Sequence, residues 1–186
     1  MRKLRTIEMR RLSVEEFRAA EKFPLVVVLD DIRSMYNIGS IFRTADAFRI
    51  EGIVLCGLCA VPPGAEIHKT ALGAEESVTW RYSDTAVSAV TALRAAGYVV
   101  YAAEQAVGST PLNTFIPRVG ERYAVVFGNE VKGVRQDVID ACDGCLEIPQ
   151  FGTKHSMNVA VAAGIVMYSM VSPLFGDEVG ETNTRR

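Results

Sequence analysis

Residues 25–29, Leu-Val-Val-Val-Leu, form an unbroken apolar run with three β-branched residues at its centre. A strand with one wet face alternates apolar and polar residues, so a run like this predicts a strand covered on both faces. Residues 52–56 and 98–103 read as further strands and 122–127 as another buried strand, with shorter strands expected over 78–82 and 145–148. Helical stretches fall between them. Asn37 is expected to cap a helix with Ile41, Ala45 and Phe48 on one face. Asp84 is expected to cap a second helix running to Ala96, closed by Gly97. Further helices are expected over 66–73, 137–142 and from Ser156 until Pro173 stops the last one. Ser13-Val14-Glu15-Glu16 fits a capping box for a short first helix. Residues 104–121, holding Pro111 and Pro117, read as a long loop. Strands alternating with helices imply an α/β fold: a mainly parallel sheet with helices on both faces.

The chain has 186 residues, 49% hydrophobic and 23% charged, which suits one globular domain with a sizeable core. The longest apolar stretch, 159–171, is shorter than the roughly 18 residues of a membrane span. The start lacks the apolar segment of a secretion signal, so a cytoplasmic protein without membrane contact is expected. Net charge is −2, which argues against an indiscriminate nucleic-acid coat. The charge is uneven, however: Arg2, Lys3, Arg5, Arg10 and Arg11 crowd the start against Glu8, and Arg185-Arg186 close the chain. Such basic ends either grip phosphates or serve as solvated tails. Two C-x-x-C pairs, Cys56/Cys59 and Cys142/Cys145, are too far apart for an ordinary zinc ribbon and read as packing thiols. His68 and His155 have no matching Asp or Cys spacing, so no metal site is expected.

Three polar segments follow strand ends or open helices, where α/β proteins hold ligands. The first runs from Asn37 to Arg43-Thr44-Ala45. Arg43 lies off the apolar stripe, and its planar fork suits phosphate. The second, Phe127-Gly128-Asn129-Glu130-Val131-Lys132-Gly133, directly follows a buried strand. Its glycines suggest a tight loop, but Val134-Arg135 stand where a phosphate-binding loop needs Lys-Ser/Thr. The third runs from Ile148-Pro149-Gln150 to Ser156-Met157-Asn158 and opens a helix that is apolar nearly all round. Such a helix must be buried on every side, which favours a second subunit against its outer face.

In order and chemistry together, these segments resemble the three motifs of the SpoU family of RNA ribose 2′-O-methyltransferases, within the SPOUT superfamily. The resemblance covers residues 24 to 172, and Lys69 to Ala74 also looks like a family segment. It implies residues 1–23 as a basic extension with a short helix, 24–172 as the methyltransferase domain and 173–186 as a polar tail. It further implies a C-terminal deep trefoil knot, a homodimer, S-adenosylmethionine as cofactor, and tRNA or rRNA as substrate. The short flanks leave little room for a separate RNA-binding domain, which mildly favours tRNA. By motif, Gly128, Asn129, Ile148, Gln150, Ser156 and Met157 are expected to bind the cofactor. Arg43, Asn37, Glu130, Ser156 and Asn158 are expected at the reacting ribose. Gln150 and Met157 stand where many members carry Met and Leu. Arginine holds its proton too tightly to be a general base, so Arg43 is expected to clamp phosphate and steady the forming alkoxide. The rival readings are a non-catalytic S-adenosylmethionine- and RNA-binding protein of the same fold, and a different nucleotide-binding α/β enzyme.

Overall fold

In the computed structural model, which describes residues 2–9 and 11–175, a capping box starts α1 (Val14–Ala19) as the sequence predicts. Ser13 Oγ accepts from Glu16 N at 3.2 Å, and Glu16 Oε2 accepts from Ser13 N at 2.7 Å. The strands are β1 (Phe23–Asp30), β2 (Ile50–Cys56), β3 (Trp80–Ser83), β4 (Tyr98–Ala103), β5 (Thr110–Pro111), β6 (Arg122–Phe127) and β7 (Gly144–Glu147). They form one seven-stranded parallel sheet in the order β3-β2-β1-β6-β4-β7-β5. The remaining helices are α2 (Met35–Ala47), α3 (Ala65–Ala71), α4 (Ala74–Ser77), α5 (Ala86–Ala95), α6 (Gln136–Ala141) and α7 (Val159–Val171). The expectations for Arg10, Arg185, Arg186 and the tail beyond residue 175 fall outside the described residues.

The unbroken apolar run is explained by the two-period of a strand. Leu25, Val27 and Leu29 face one core together with Ile38, Ile41 and Phe42 of α2 and Val166 and Met167 of α7. Val26 and Val28 face the other, against Ala89, Val90 and Leu93 of α5 and Val138 of α6. Each fully buried side chain of this kind contributes about 1.5–3 kcal/mol, so both layers stabilise the sheet between them.

Several helix starts differ from expectation. Ser34, not Asn37, caps α2: its hydroxyl accepts from Asn37 N at 3.3 Å. A serine three residues before Asn37 occupies the capping position, which leaves the Asn37 side chain free for long-range contacts. Thr85, not Asp84, caps α5. Helix α7 starts at Val159 rather than Ser156, capped by Asn158, whose Oδ1 accepts from Ala160 N at 2.9 Å and Val161 N at 3.3 Å. The loop expected at 104–121 holds β5 and a turn of 3-10 helix, Leu112–Thr114.

Helix α7 is not buried on every side. Val159, Ala163, Val166, Met167, Met170 and Val171 are buried, but Val161, Ile165 and Tyr168 are exposed. They border an open apolar groove of about 690 Å³ reaching Phe48, Leu112 and Pro149. Among the described residues no helix is long and apolar enough to cross a membrane. The four cysteines are unbridged, and burial pushes Cys56 and Cys142 up to about 12 and Cys59 to about 11. Thiols held this firmly protonated are packing groups.

Candidate active site

The parallel sheet puts the carboxyl ends of β4, β6 and β7 at one edge, and three loops leave from there. The loop after β6 is shaped by its glycines. A Cβ on Gly128 would lie 2.1 Å from the carbonyl carbon of Gly133, and Gly133 has φ +66°. Any side chain at Gly128 would force the loop open. Asn129 closes the turn: its Oδ1 accepts from Val131 N at 3.0 Å and Lys132 N at 3.2 Å, and its carbonyl accepts from Gly133 N at 2.8 Å. Its amide donates to the Asp31 carbonyl at 2.8 Å, tying the loop to the end of β1.

The three loops are joined to one another. Glu104, the first residue after β4, accepts through Oε2 from Val134 N at 2.8 Å. Gln105 Nε2 donates to the His155 carbonyl at 3.0 Å. Together the loops enclose a cleft of about 770 Å³, lined by Gly128, Asn129, Glu130, Ile148, Gln150, Ser156 and Met157 among others. This volume lies in the ordinary range for a cofactor site. All six residues expected at the cofactor therefore line one cleft. Sequence reasoning missed Glu104 to Val107, which form another wall. The available signal was position alone: Glu104 directly follows the carboxyl end of a predicted buried strand.

On the far side of the cleft, Glu130 reaches the start of α2. Its carboxylate accepts from Arg33 N at 3.3 Å, Ser34 N at 3.1 Å and Asn37 Nδ2 at 3.1 Å. Burial pushes this carboxyl upward. Hydrogen bonds from its own backbone N–H, from Ser34 and Arg33, and from Asn37 outweigh that and hold it below its ordinary value of 4.5. Asn37 Oδ1 in turn accepts from Asn158 Nδ2 at 3.2 Å. A relay Asn158–Asn37–Glu130 thus links the cap of α7 to the first turn of α2 across 121 residues of sequence.

The expected ribose-side residues are only partly gathered. Asn37, Glu130 and Asn158 are bonded together. Ser156 lines the cleft but is exposed, outside the relay. Arg43 is exposed on α2 and makes no hydrogen bond or ion pair among the described residues. Among the described residues no cluster of His, Cys, Asp and Glu is arranged to hold a metal.

The fold and cleft define a parallel α/β protein with a candidate ligand cleft at the carboxyl ends of β4, β6 and β7, closed by a tight glycine loop. Residues 24–168 match the SpoU rRNA Methylase family, and the chain belongs to that family. It is 31% identical over 144 residues to the 23S rRNA (guanosine-2′-O-)-methyltransferase RlmB of Neisseria meningitidis, covering 77% of this chain and 56% of that one. An AdoMet-bound rRNA methyltransferase from Sinorhizobium meliloti superposes with a TM-score of 0.77 at 29% identity, covering 85% of this chain and 60% of that one. A chain solved in work on 2-OH methylation of C/U34 on tRNA superposes at 0.71 with 27% identity, covering 82% of this chain and 97% of that one. The chain spans about three-fifths of the length of several relatives it matches.

Proposed function

We propose that this protein transfers a methyl group from S-adenosylmethionine to a ribose 2′-hydroxyl of tRNA or rRNA, tRNA being favoured. The observation that carries the reading is the meeting of the three motif segments: the glycine loop and the 148–157 loop wall one cleft, and Glu130 leads from it to the Asn37–Asn158 pair. Resemblance in sequence requires only that the segments be present, whereas this chemistry requires them to converge. The similarity to a chain solved in work on 2-OH methylation of C/U34 on tRNA supports tRNA.

The cleft residues fit the cofactor. Ile148, Met157 and the backbone of Gly128 offer apolar surface and a close backbone approach, while Gln150, Asn129 and Ser156 offer polar contacts. S-adenosylmethionine would supply an electrophilic methyl on a sulfonium. The chain's task is alignment and charge. The 2′-hydroxyl that accepts this methyl would lose its proton to solvent. The guanidinium of Arg43 holds a substrate phosphate and stabilises the developing alkoxide. Asn37, Glu130 and Asn158 fix the N-terminal end of α2, and Arg43 projects from the same helix about 9 Å further along, while Ser156 meets the ribose from the cleft side.

We further propose that residues 24–172 form the catalytic domain, with 1–23 as an extension and 173–186 as a tail. The C-terminal loops are read as tied in a trefoil knot, a reading that rests on the family resemblance. A second copy of the chain covers Val161, Ile165 and Tyr168. Support comes from an exposed apolar groove continuous with the core. Calorimetry with S-adenosylmethionine, NAD and ATP, followed by transfer of labelled methyl to tRNA and rRNA, tests the function. Binding of S-adenosylmethionine alone with transfer to RNA is expected. Failure to bind it sinks the reading, and binding without transfer favours the non-catalytic alternative.

A further inference from the structure

Tyr36 immediately precedes Asn37 on α2, yet its ring belongs to neither the cleft nor the relay, and it is 47% exposed. What stands beside it is set by Gly39. A Cβ there would lie 2.2 Å from both the Ile67 carbonyl oxygen and Thr70 Oγ1, so only glycine lets α3 approach α2 this closely. Two contacts result. Thr70 Oγ1 donates to the Tyr36 carbonyl at 3.0 Å, and Lys69 Nζ sits 5.7 Å from the ring centroid. Segment 69–74, which carries part of the resemblance but no part of the site, thereby meets the first motif.

Arg43 follows Tyr36 by seven residues, so the two share a side of α2 about 10 Å apart along its axis. The shoulder also carries cations without an ion pair among the described residues, as do Arg81, Lys132 and Lys154 elsewhere. Arg94, Arg118, Arg122 and Arg135 are each paired with a carboxylate. Arg33, Arg43 and Lys69 are exposed and form no ion pair among the described residues. An exposed ring set among unneutralised cations matches single-stranded RNA, whose bases stack on aromatics while its phosphates seek cations. An acidic peptide would use the charges but leave the ring without a role.

We propose that the α2–α3 shoulder holds the RNA strand beside the target nucleotide, with Tyr36 stacking a nucleobase and Lys69 meeting the adjoining phosphate. This rests on the reading of the cleft as a site of methyl transfer to RNA. Stacking on Tyr36 would fix the strand one residue from Asn37, so that the next ribose is presented to the relay and its phosphate to Arg43. Because every base has a π-face, this contact positions the strand without reading its sequence.

The test is fluorescence anisotropy with a short fluorescein-labelled oligoadenylate and the full chain. Tyr36→Ala is expected to weaken binding about tenfold with the salt dependence unchanged. Tyr36→Trp is expected to retain binding. Lys69→Gln is expected to weaken it about threefold and flatten the log–log salt slope by about 0.7. Calorimetric binding of S-adenosylmethionine should be unmoved in all three, which separates a lost RNA contact from a disturbed fold. Wild-type protein that ignores the oligoadenylate overturns the proposal. So does Tyr36→Ala binding within about twofold of wild type, or Tyr36→Trp binding as weakly as Tyr36→Ala. Labelled methyl transfer to unfractionated tRNA and rRNA is scored separately. Transfer that is indifferent to Tyr36 removes the shoulder and leaves the methyltransferase. Tyr36-dependent binding without transfer does the reverse.

Discussion

Helices α2 and α7 have 13 residues each, lie side by side and press into the same core, yet their outer faces are opposites. Inward they are interchangeable in kind: Ile38, Ile41, Phe42 and Ala45 from one, Ala163, Val166, Met167 and Met170 from the other. Outward, α2 shows Tyr36, Ser40 and Arg43, and α7 shows Val161, Ile165 and Tyr168. Phe48 at the end of α2 and Tyr168 meet with ring centroids 5.8 Å apart, and the two N-termini are joined by Asn37 and Asn158. Burial explains only the inner faces. An outer face that keeps a cation unpaired is suited to an anionic polymer, and one that keeps branched apolar groups in water is suited to another protein surface.

The contrast is broken most sharply at Arg43. Arg43→Ala should lower methyl transfer at least 100-fold while S-adenosylmethionine binding and thermal stability hold, because the side chain is exposed and supports no core contact. Arg43→Lys with nearly full turnover would count against a geometric role for the guanidinium. The mirror experiment is on α7. Val161→Asp with Ile165→Asp should shift the sedimentation profile from dimer to monomer, weakening association at least tenfold, whereas Arg43→Ala should leave it alone. A profile unchanged by both substitutions would remove the second copy from the argument.

At the joined ends the expected effect is smaller. Glu130→Gln keeps one acceptor but loses the charge-assisted bonds to Arg33 N, Ser34 N and Asn37. Denaturant unfolding should show a loss of about 1–3 kcal/mol at neutral pH. This should come with a lower turnover number rather than weaker S-adenosylmethionine binding. The pH dependence of that difference is the smallest effect and fixes its origin. Glu130 is held below its ordinary value of 4.5 in the folded protein. Its contribution is therefore fully present above about 4.5 and is lost as pH falls through the folded value. Wild type and Glu130→Gln should converge in stability on acidification. A gap that persists in acid would mean that shape, rather than charge, is at work.

Much of this was legible in the chain. The runs at 98–103 and 122–127 coincide with β4 and β6; β6 is buried from Tyr123 to Phe127 and leaves a continuous apolar signature, while β4 alternates buried and half-buried residues. Ser13 to Glu16 formed the box its spacing implies, since capping is decided within one turn. The cap of α2 was misjudged because Ser34 and Asn37 are both good capping residues, and local sequence does not say which one has business elsewhere. Asn37 does: its two partners lie 93 and 121 residues away. Glu104 went unnoticed for the same reason, since its partner Val134 is 30 residues on.

The sequence by itself determined the alternation of strand and helix, the parallel sheet, the three motif segments and the family. Each depends on periodicity or on residues close together in the chain, where spacing alone carries the physics. Only the tertiary structure decided that Glu130 crosses to α2, that Glu104 pins the glycine loop, and that α7 leaves an apolar face uncovered. Those outcomes depend on which distant groups come within hydrogen-bonding reach or burial, and no local preference encodes that.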